Sequence, residues 1–461
     1  MNIDSANRLQ PSSQATHSLP FCRIGVFTAA CLLISNMIGT GIYGTTGFMA
    51  RYLGDPVLIL ILWAAGGGFA LLGALAYSEL GAAIPEAGGE YVYLREAYGP
   101  VWGFLSGWTS FAIGFSAAIA LCAHLFAIHL QELVFGYDPA DPLNELFNKI
   151  IALLMVWILT AVHVAGVRTG GFVQRVLTIL KVGSILALLA VGLFGKGGQC
   201  NYLTAERSDT PFSVMTVLTA FLFVSFSYSG WNAAGYIASE INRPERSIPR
   251  ATIWGTLCVM VLYLALNVFY LQTLPISALA ADPVEPVAQK SAVALLGDRG
   301  GRLVTAMLCL SIFGSASAMI WTGPRVYWAM ARDRVLPRIF ADTARGTHTP
   351  VKSIVLQSSW ISVLIVVGGF ETLLVYAGFV LILFSALAVV GVVVLRVKKP
   401  QLPRPYRAWL YPLSPLLYGV IALAVMWAVL WRNPYESLLG IATVAAGLPL
   451  YWYQRSRTVR K

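Results

Sequence analysis

The amino-acid sequence predicts an all-α polytopic membrane protein with twelve transmembrane helices. Of its 461 residues, 57% are hydrophobic and only 11% are charged. A soluble domain carries about 25% charged residues, because its surface must face water. The composition therefore excludes a soluble multidomain enzyme, and the apolar content excludes a disordered chain. In addition, the apolar residues are gathered into twelve long stretches.

Each of these stretches is long enough to cross a bilayer as a helix. An apolar layer of about 30 Å requires about 20 helical residues. The stretches lack the alternation of a barrel strand, so a helix is the form that satisfies their backbone groups in lipid. They comprise residues 24–50, 57–83, 100–129, 150–166, 172–195, 212–239, 250–272, 301–330, 352–369, 372–395, 411–431 and 436–453.

The basic residues predict the orientation of the chain. With a cytosolic N-terminus, 23 of the 32 Lys and Arg residues fall in inner segments and 8 in outer segments. An excess of positive charge inside is the usual signature of membrane topology. It predicts a multi-pass protein of the cell (inner or cytoplasmic) membrane with both termini cytosolic. It also accounts for the net charge of +11 without any binding of nucleic acid.

The chain ends and the cysteines suggest no further processing or metal chemistry. No small-residue cleavage site precedes the first apolar stretch, so residues 1–23 are expected to remain as a cytosolic tail. Four of the six cysteines lie inside apolar stretches, and no two have CxxC or metal-ligand spacing. Small buried hydrophobic side chains are the simpler interpretation. We therefore expect neither a metal nor a cofactor.

Two of the twelve stretches are interrupted near their middle. Gly39-Thr40-Gly41 interrupts the first, and Ser227-Tyr228-Ser229-Gly230 interrupts the sixth. If helices 1–5 and 6–10 form an inverted repeat, the two breaks occupy corresponding positions. Matched breaks of this kind predict a transporter binding site. The alternative is that the glycines allow close helix packing, as in GxxxG contacts.

Around these breaks the chain resembles a known family. Five segments carry the resemblance to the amino acid–polyamine–organocation superfamily, and the one around the sixth helix is similar to its L-type amino acid transporter branch. The segments are residues 39–43 (GTGIY), 76–91, 226–232 (FSYSGWN), 240–249 and 323–333. The resemblance implies a LeuT-type 5+5 inverted repeat with helices 1 and 6 unwound at mid-membrane. It divides the chain into a tail 1–23, repeats 24–196 and 212–397, added helices 411–453 and a tail 454–461.

The chemistry of a broken helix suits a free amino acid. Burying a zwitterion costs several kcal/mol per ion unless both charges find partners. A half-helix that begins near Gly41 directs N–H groups and a positive dipole end at a carboxylate. Half-helices that end near Met37 and Phe226 leave carbonyls that can accept from an ammonium group. Glycine allows the ligand to approach the backbone directly.

The resemblance assigns individual roles by position. Thr40 and Gly41 would hold the substrate carboxylate, and the carbonyls of Met37, Phe226 and Ser229 would hold its amine. Phe226 would also close the site from the outside as a gate. Asn232 would either meet the substrate side chain or brace the unwound segment. The complete set of expected site residues is Met37, Gly39, Thr40, Gly41, Phe226, Ser229, Gly230 and Asn232, with Phe226 and Trp231 as gate.

Lys181 is the one basic residue that belongs to neither the inner nor the outer group, because it lies near the middle of the predicted span 172–195. An ionisable group at membrane depth indicates function by default. In sodium-independent members of the superfamily, a lysine on helix 5 places its ammonium where sodium would bind. By this resemblance Lys181 would serve coupling, either bracing helix 1 near Gly39 or carrying a proton. A fixed structural ammonium bonded to helix 1 carbonyls is the alternative, and the sequence leaves these options open.

Together these features predict a sodium-independent secondary transporter that moves neutral L-amino acids by alternating access. No acidic residue occurs in either break, so a cationic side chain would lack a carboxylate partner. A permease and an exchanger both fit these features, and each could work with or without proton coupling. The first alternative is a cationic amino acid or polyamine antiporter. A more distant alternative is a membrane-embedded enzyme, for which the sequence contains no catalytic motif. The expected partners are the amino acid substrate and the lipid bilayer. No disulfide-linked subunit is expected, because the outer loop 130–149 has no cysteine.

Overall fold

A computed structural model describes residues 24–135, 142–194, 213–281, 286–344, 346–368 and 370–459. Within these ranges the chain is helical, and its one β-type contact is an isolated bridge between Ile24 and Ile241. The predicted tail 1–23 and most of the outer segment between the two predicted repeats lie outside the described residues. The predicted C-terminal tail is described as far as residue 459, where it continues the last helix.

The first predicted repeat contains eight helices. They are α1 (Val26–Met37), α2 (Gly41–Leu53), α3 (Pro56–Ala83), α4 (Glu90–Tyr98), α5 (Pro100–Thr109), α6 (Phe115–Val134), α7 (Pro142–Val164) and α8 (Val167–Phe194). A single π-helical turn, Ser110–Gly114, joins α5 to α6 into one continuous span.

The described part of the remaining chain contains ten further helices. They are α9 (Val214–Ser227), α10 (Ala233–Tyr236), α11 (Pro244–Thr273), α12 (Ile276–Ala280), α13 (Val287–Leu296), α14 (Asp298–Arg332), α15 (Val351–Val367), α16 (Phe370–Lys398), α17 (Leu413–Arg432) and α18 (Pro434–Val459). Short 3₁₀ turns occupy Ala238–Glu240 and Arg338–Ala341.

Nine helical segments of the described chain are long and apolar enough to cross a membrane, which confirms the polytopic all-α class. The predicted stretches 212–239, 352–369 and 436–453 contain α9, α15 and α18, which are shorter or less apolar than the nine. The count of twelve spans therefore stays a prediction.

Both predicted interruptions are present as breaks between helices. α1 ends at Met37 and α2 begins at Gly41, while α9 ends at Ser227 and α10 begins at Ala233. α1 packs against α8, α11 and α14, and α2 packs against α9. The two broken helices therefore lie side by side in the middle of the bundle.

Local sequence sets the helix ends near these breaks. α2 continues to Leu53, past the predicted end of the first stretch, because Gly54 (φ +59°) adopts the left-handed conformation that terminates helices. Asp55 then caps α3, where its side chain accepts from the N–H groups of Val57 and Leu58. The turn between the first two spans is thus only two residues long.

Candidate functional site

The two breaks touch each other directly. The Asn36 side-chain amide donates to the Gly230 carbonyl at 3.3 Å, and the Thr45 and Ser227 hydroxyls are 2.9 Å apart. These contacts join residues more than 180 positions apart in sequence. The structure therefore brings the two groups of predicted site residues together at one place.

Two glycines make this approach possible. A Cβ on Gly41 would lie 2.9 Å from the Cα and 2.8 Å from the Cβ of Ser227, closer than real side chains pack. Gly230 has φ +102°, a conformation that L side chains rarely adopt, and a Cβ there would lie 3.0 Å from the Asn36 carbonyl carbon. Close backbone contact is therefore part of the arrangement of the breaks.

The breaks expose the backbone groups that a zwitterion needs. The N–H groups of Thr40, Gly41 and Ile42 open α2 and have no acceptor within the helix. The Phe226 carbonyl lies at the end of α9 and accepts from the Ser229 N–H at 2.9 Å. Gly39, Thr40 and Gly41 are partly exposed and Ser229 is exposed, whereas most of their neighbours are buried.

The two predicted gate aromatics have different surroundings. Phe226 is half-buried at the end of α9. Trp231 is buried, and its ring makes edge-to-face contacts with Tyr77 of α3 at 4.8 Å and Tyr418 of α17 at 6.0 Å between centroids. Trp231 therefore packs between two neighbouring helices, and the gate role of both aromatics stays a prediction.

Asn232 has partners for the bracing role. Its side-chain amide donates to Glu90 Oε1 at 3.0 Å and to the Tyr236 hydroxyl at 3.2 Å. Both donor hydrogens of the amide are thereby used within the protein. This geometry supports bracing of the unwound segment over contact with a substrate side chain.

Lys181 of α8 is completely buried, with 0% exposure, and its ammonium lies against the end of α1. Nζ donates to the carbonyl of Ser35 at 3.0 Å and to that of Ile38 at 2.7 Å, and it lies 3.2 Å from the Ser315 hydroxyl. These carbonyls are among the last of α1, which lack partners within the helix. The ammonium thus ties the end of the first half-helix to α8 and α14.

Sequence reasoning missed two hydroxyls that act on the same carbonyls. Ser315 of α14 lies within 2.9 Å of both the Ser35 and Ile38 carbonyls. Tyr263 of α11 lies 2.8 Å from the Met37 carbonyl and 3.1 Å from the Ser227 carbonyl, so one phenol joins the two breaks. Their only sequence signal is a polar group at membrane depth.

Among the described residues, no three His, Cys, Asp or Glu side chains are grouped so that they could hold a metal ion. What the breaks present instead is a set of helix N–H groups, the carbonyls of two helix ends and one buried ammonium. This set can bind a small molecule that carries both charges.

Comparison with known proteins identifies the family. The family described as Amino acid permease matches residues 24–443. The chain belongs to the amino acid permease family. The serine/threonine exchanger SteT of Bacillus subtilis (strain 168) is 31% identical over 438 residues, covering 94% of this chain and 97% of that protein. The match confirms the resemblance to the amino acid–polyamine–organocation superfamily.

Mammalian relatives cover the permease equally well. The large neutral amino acids transporter small subunit 2 of Homo sapiens is 29% identical over 442 residues, which are 93% of this chain and 79% of that protein. The b(0,+)-type amino acid transporter 1 of Mus musculus is 26% identical and covers 100% of this chain and 97% of that protein. These matches confirm the L-type branch, and every relative named here is a transporter.

We expect substitution of Tyr263 by phenylalanine to weaken substrate binding by this permease. The change leaves two buried carbonyls, Met37 and Ser227, without their shared donor, at a cost of about 1–3 kcal/mol. That corresponds to roughly a tenfold or greater rise in the dissociation constant if the breaks lose their alignment. Equilibrium binding of a labelled amino acid to the purified protein measures the change.

Tyr270→Phe is the matched control for this experiment. Tyr270 lies two turns further along α11 and is equally buried, but its hydroxyl has no partner among the described residues. Its removal should leave binding within about twofold and stability unchanged or improved. Equal effects of the two substitutions would contradict the bridging role of Tyr263.

Proposed function

We propose that this permease is a sodium-independent exchanger of neutral L-amino acids that works by alternating access. The observation that carries the proposal is the contact between the two broken helices. At that contact, unpaired N–H groups of α2 lie beside carbonyls of the ends of α1 and α9. A carboxylate and an ammonium group can both be satisfied there without water. The proposal includes twelve spans in a LeuT-type 5+5 repeat with residues 24–196 and 212–397 as its halves.

The position of Lys181 supports sodium independence. A hard cation needs several oxygen ligands, usually carbonyls, hydroxyls and carboxylates. Here the carbonyls of Ser35 and Ile38 and the hydroxyl of Ser315 already surround a covalently attached ammonium. Transport should therefore be the same when sodium is replaced by choline.

The preference for neutral substrates rests on the charges around the breaks. No carboxylate lies in either break, and Glu90, which Asn232 connects to the site, already accepts three hydrogen bonds. The names of SteT and of the large neutral amino acids transporter point the same way, although they imply side chains of different size. A cationic amino acid or polyamine antiporter is the second candidate, for which cation–π contact with Phe226 would replace the missing carboxylate.

A competition panel in reconstituted vesicles tests the substrate class. Vesicles preloaded with L-serine take up labelled L-serine, and each of the twenty amino acids is added outside in excess. We expect serine, alanine and leucine to inhibit and arginine and lysine to leave uptake unchanged. Stronger inhibition by arginine and lysine would contradict the neutral assignment.

The same vesicles separate exchange from symport. An exchanger takes up label only when an amino acid is preloaded inside. Net uptake into empty vesicles that increases with an inward proton gradient would replace the exchange proposal with proton symport.

We further propose that the protein lies in the cell membrane with both termini cytosolic and that it needs no disulfide-linked subunit.

A further inference from the structure

Glu90 is a buried carboxyl group that is bonded to the inner part of the sixth, broken helix. It lies at the start of α4, between the spans 56–83 and 100–134, and is 2% exposed. Its Oε1 atom accepts from the Tyr77 hydroxyl at 2.6 Å, from the Asn232 amide at 3.0 Å and from the Ser385 hydroxyl at 3.0 Å. These donors come from α3, from the residue before α10 and from α16. One carboxyl group therefore joins three separate elements.

No basic side chain neutralises Glu90 in the part of the chain that the structure describes. Three arginines on the helices around α4 pair with other acids: Arg325 with Glu240, Arg396 with Glu79, and Arg95 with Asp333. Buried carboxylates are normally paired, and an unpaired one is uncommon. Glu90 therefore differs from the other buried acids, Glu79 and Glu240.

The groups that face Glu90 are neutral hydroxyls and amides. Tyrosine hydroxyls approach it from α3, α10 and α17 and from α4 itself, and α16 contributes a serine; they are Tyr77, Tyr236, Tyr418, Tyr93 and Ser385. α5, which also packs on α4, has no charged residue. The charged residues that α14 and α16 bring to α4 contact other positions: Asp333 binds Tyr91 and Arg95, Arg332 binds Glu86, Lys398 binds the Ala97 carbonyl and Lys399 binds Glu96.

Two opposing effects determine the protonation of this group. Burial disfavours the charged carboxylate, whereas the hydrogen bonds that it accepts favour the carboxylate. Burial is the larger effect, and it raises the pKa of Glu90 above the ordinary value of a glutamate. The proton is therefore held more tightly in this packed conformation than it would be in water.

The segment around Glu90 also holds α10 by its backbone. The Gly88 N–H donates to the Tyr236 carbonyl at 3.0 Å, and a Cβ on Gly89 would collide with the Tyr236 ring. Asn232 and Tyr236 are the two ends of the short inner piece of the broken helix. Movement of this piece away from α4 would break these contacts and admit water to Glu90.

We propose that Glu90 is a proton-binding residue of the transport cycle. It holds a proton while residues 232–236 are packed against α4, and it releases that proton to cytosolic water when this segment moves away. No covalent bond other than the carboxyl O–H changes in the step. The role of this movement in transport rests on the proposed alternating-access function. The movement itself, and the proton release that accompanies it, do not rest on that function.

The sign of the pH effect follows from linkage. The packed conformation binds the proton more tightly than a hydrated one, so protonation stabilises packing. As pH rises through the raised pKa of Glu90, the packed state loses this stabilisation and opening becomes more frequent. One released proton allows the opening constant to rise by at most about tenfold per pH unit.

Hydrogen–deuterium exchange over residues 232–241 of the purified full-length protein measures this opening without any transport assay. After correction for the intrinsic rate, the wild-type protein should lose protection as pH rises, by up to about tenfold per pH unit. Glu90→Gln keeps the shape but cannot ionise, so its protection should not vary with pH. Glu86→Gln removes an exposed acid from the same loop and should behave as wild type.

A second variant covers the case in which Glu90→Gln does not fold. Ser385→Ala removes one hydrogen bond that favours the carboxylate, so the transition of protection should move to higher pH by up to about one unit. Wild-type protection independent of pH, or an unshifted transition in Ser385→Ala, would overturn the proposal. If the vesicles exchange no amino acid but the protection follows pH as described, the proton site stands and the proposed function fails.

Discussion

Replacing Lys181 by alanine is expected to lower amino acid exchange by at least about a hundredfold. Hydrogen bonds from a charged donor contribute about 1.5–3 kcal/mol each, and Lys181 makes two of them to the carbonyls of Ser35 and Ile38. Without the ammonium, these two carbonyls at the end of α1 share the single Ser315 hydroxyl as their side-chain donor and lie beside an empty volume. The end of the first half-helix then loses its bonds to α8, although Thr178 of α8 still donates to the Cys31 carbonyl further back in α1, and the alignment of both breaks is weakened. Exchange of labelled L-serine in reconstituted vesicles measures the loss.

Lys290→Ala is the matched control for Lys181→Ala. Lys290 of α13 also donates to backbone carbonyls, that of Ala281 at 2.8 Å and that of Ala278 at 3.5 Å, but its shorter bond is exposed at the protein surface. Its removal should change exchange by less than about twofold, since exposed contacts contribute little. Full activity of Lys181→Ala with unchanged affinity would contradict any role of this lysine in coupling.

The sequence was sufficient to predict the breaks and Lys181 because each departs from an apolar background. A glycine pair in the middle of a span weakens the helix locally. A charge at membrane depth must find oxygen partners, and the end of a broken helix is where unpaired carbonyls occur. Both expectations follow from local composition, and the structure places Lys181 against carbonyls of α1.

Tyr263 and Ser315 could not be selected in the same way. Their partners lie far away in sequence: Tyr263 is 226 residues from Met37 and Ser315 is 280 residues from Ser35. Apolar helices contain many hydroxyls that bond only to their own preceding turn, as Thr256 does. Only the packing of helices distinguishes a hydroxyl that bridges two breaks from one of these.

Helix lengths were predictable only in part for a related reason. Hydropathy identifies apolar residues, but capping residues determine where a helix ends, as Gly54 does for α2. Residues 287–296, in the predicted outer loop, form the apolar helix α13. Residues 90–98, in a predicted inner loop, form the helix that carries Glu90. Both are shorter than a span and are stabilised by tertiary packing.

Alanine at Gly41 is expected to reduce exchange by more than about tenfold, whereas alanine at Gly44 should have almost no effect. Both glycines lie in the first turns of α2, and both changes add one methyl group. The methyl at position 41 would meet the Ser227 backbone at 2.9 Å, so α9 must move away from α2. That movement separates the N–H groups of α2 from the carbonyls of α9 and enlarges the site. A misplacement of about 1 Å can lower a rate about a hundredfold in enzymes, and a transporter site has similar geometric demands.

At Gly44 a Cβ has open space, with nothing within 4 Å. Alanine there should therefore stabilise the helix by up to about 1 kcal/mol, since glycine is the poorer helix former. Thermal unfolding of both variants separates the two effects: Gly44→Ala should unfold at a slightly higher temperature than the wild type, and Gly41→Ala at a lower one. If Gly41→Ala exchanges L-serine as fast as Gly44→Ala, the contact between α2 and α9 is not the substrate site. Because both substitutions have the same chemistry on the same helix, a difference between them can arise only from what each methyl group meets.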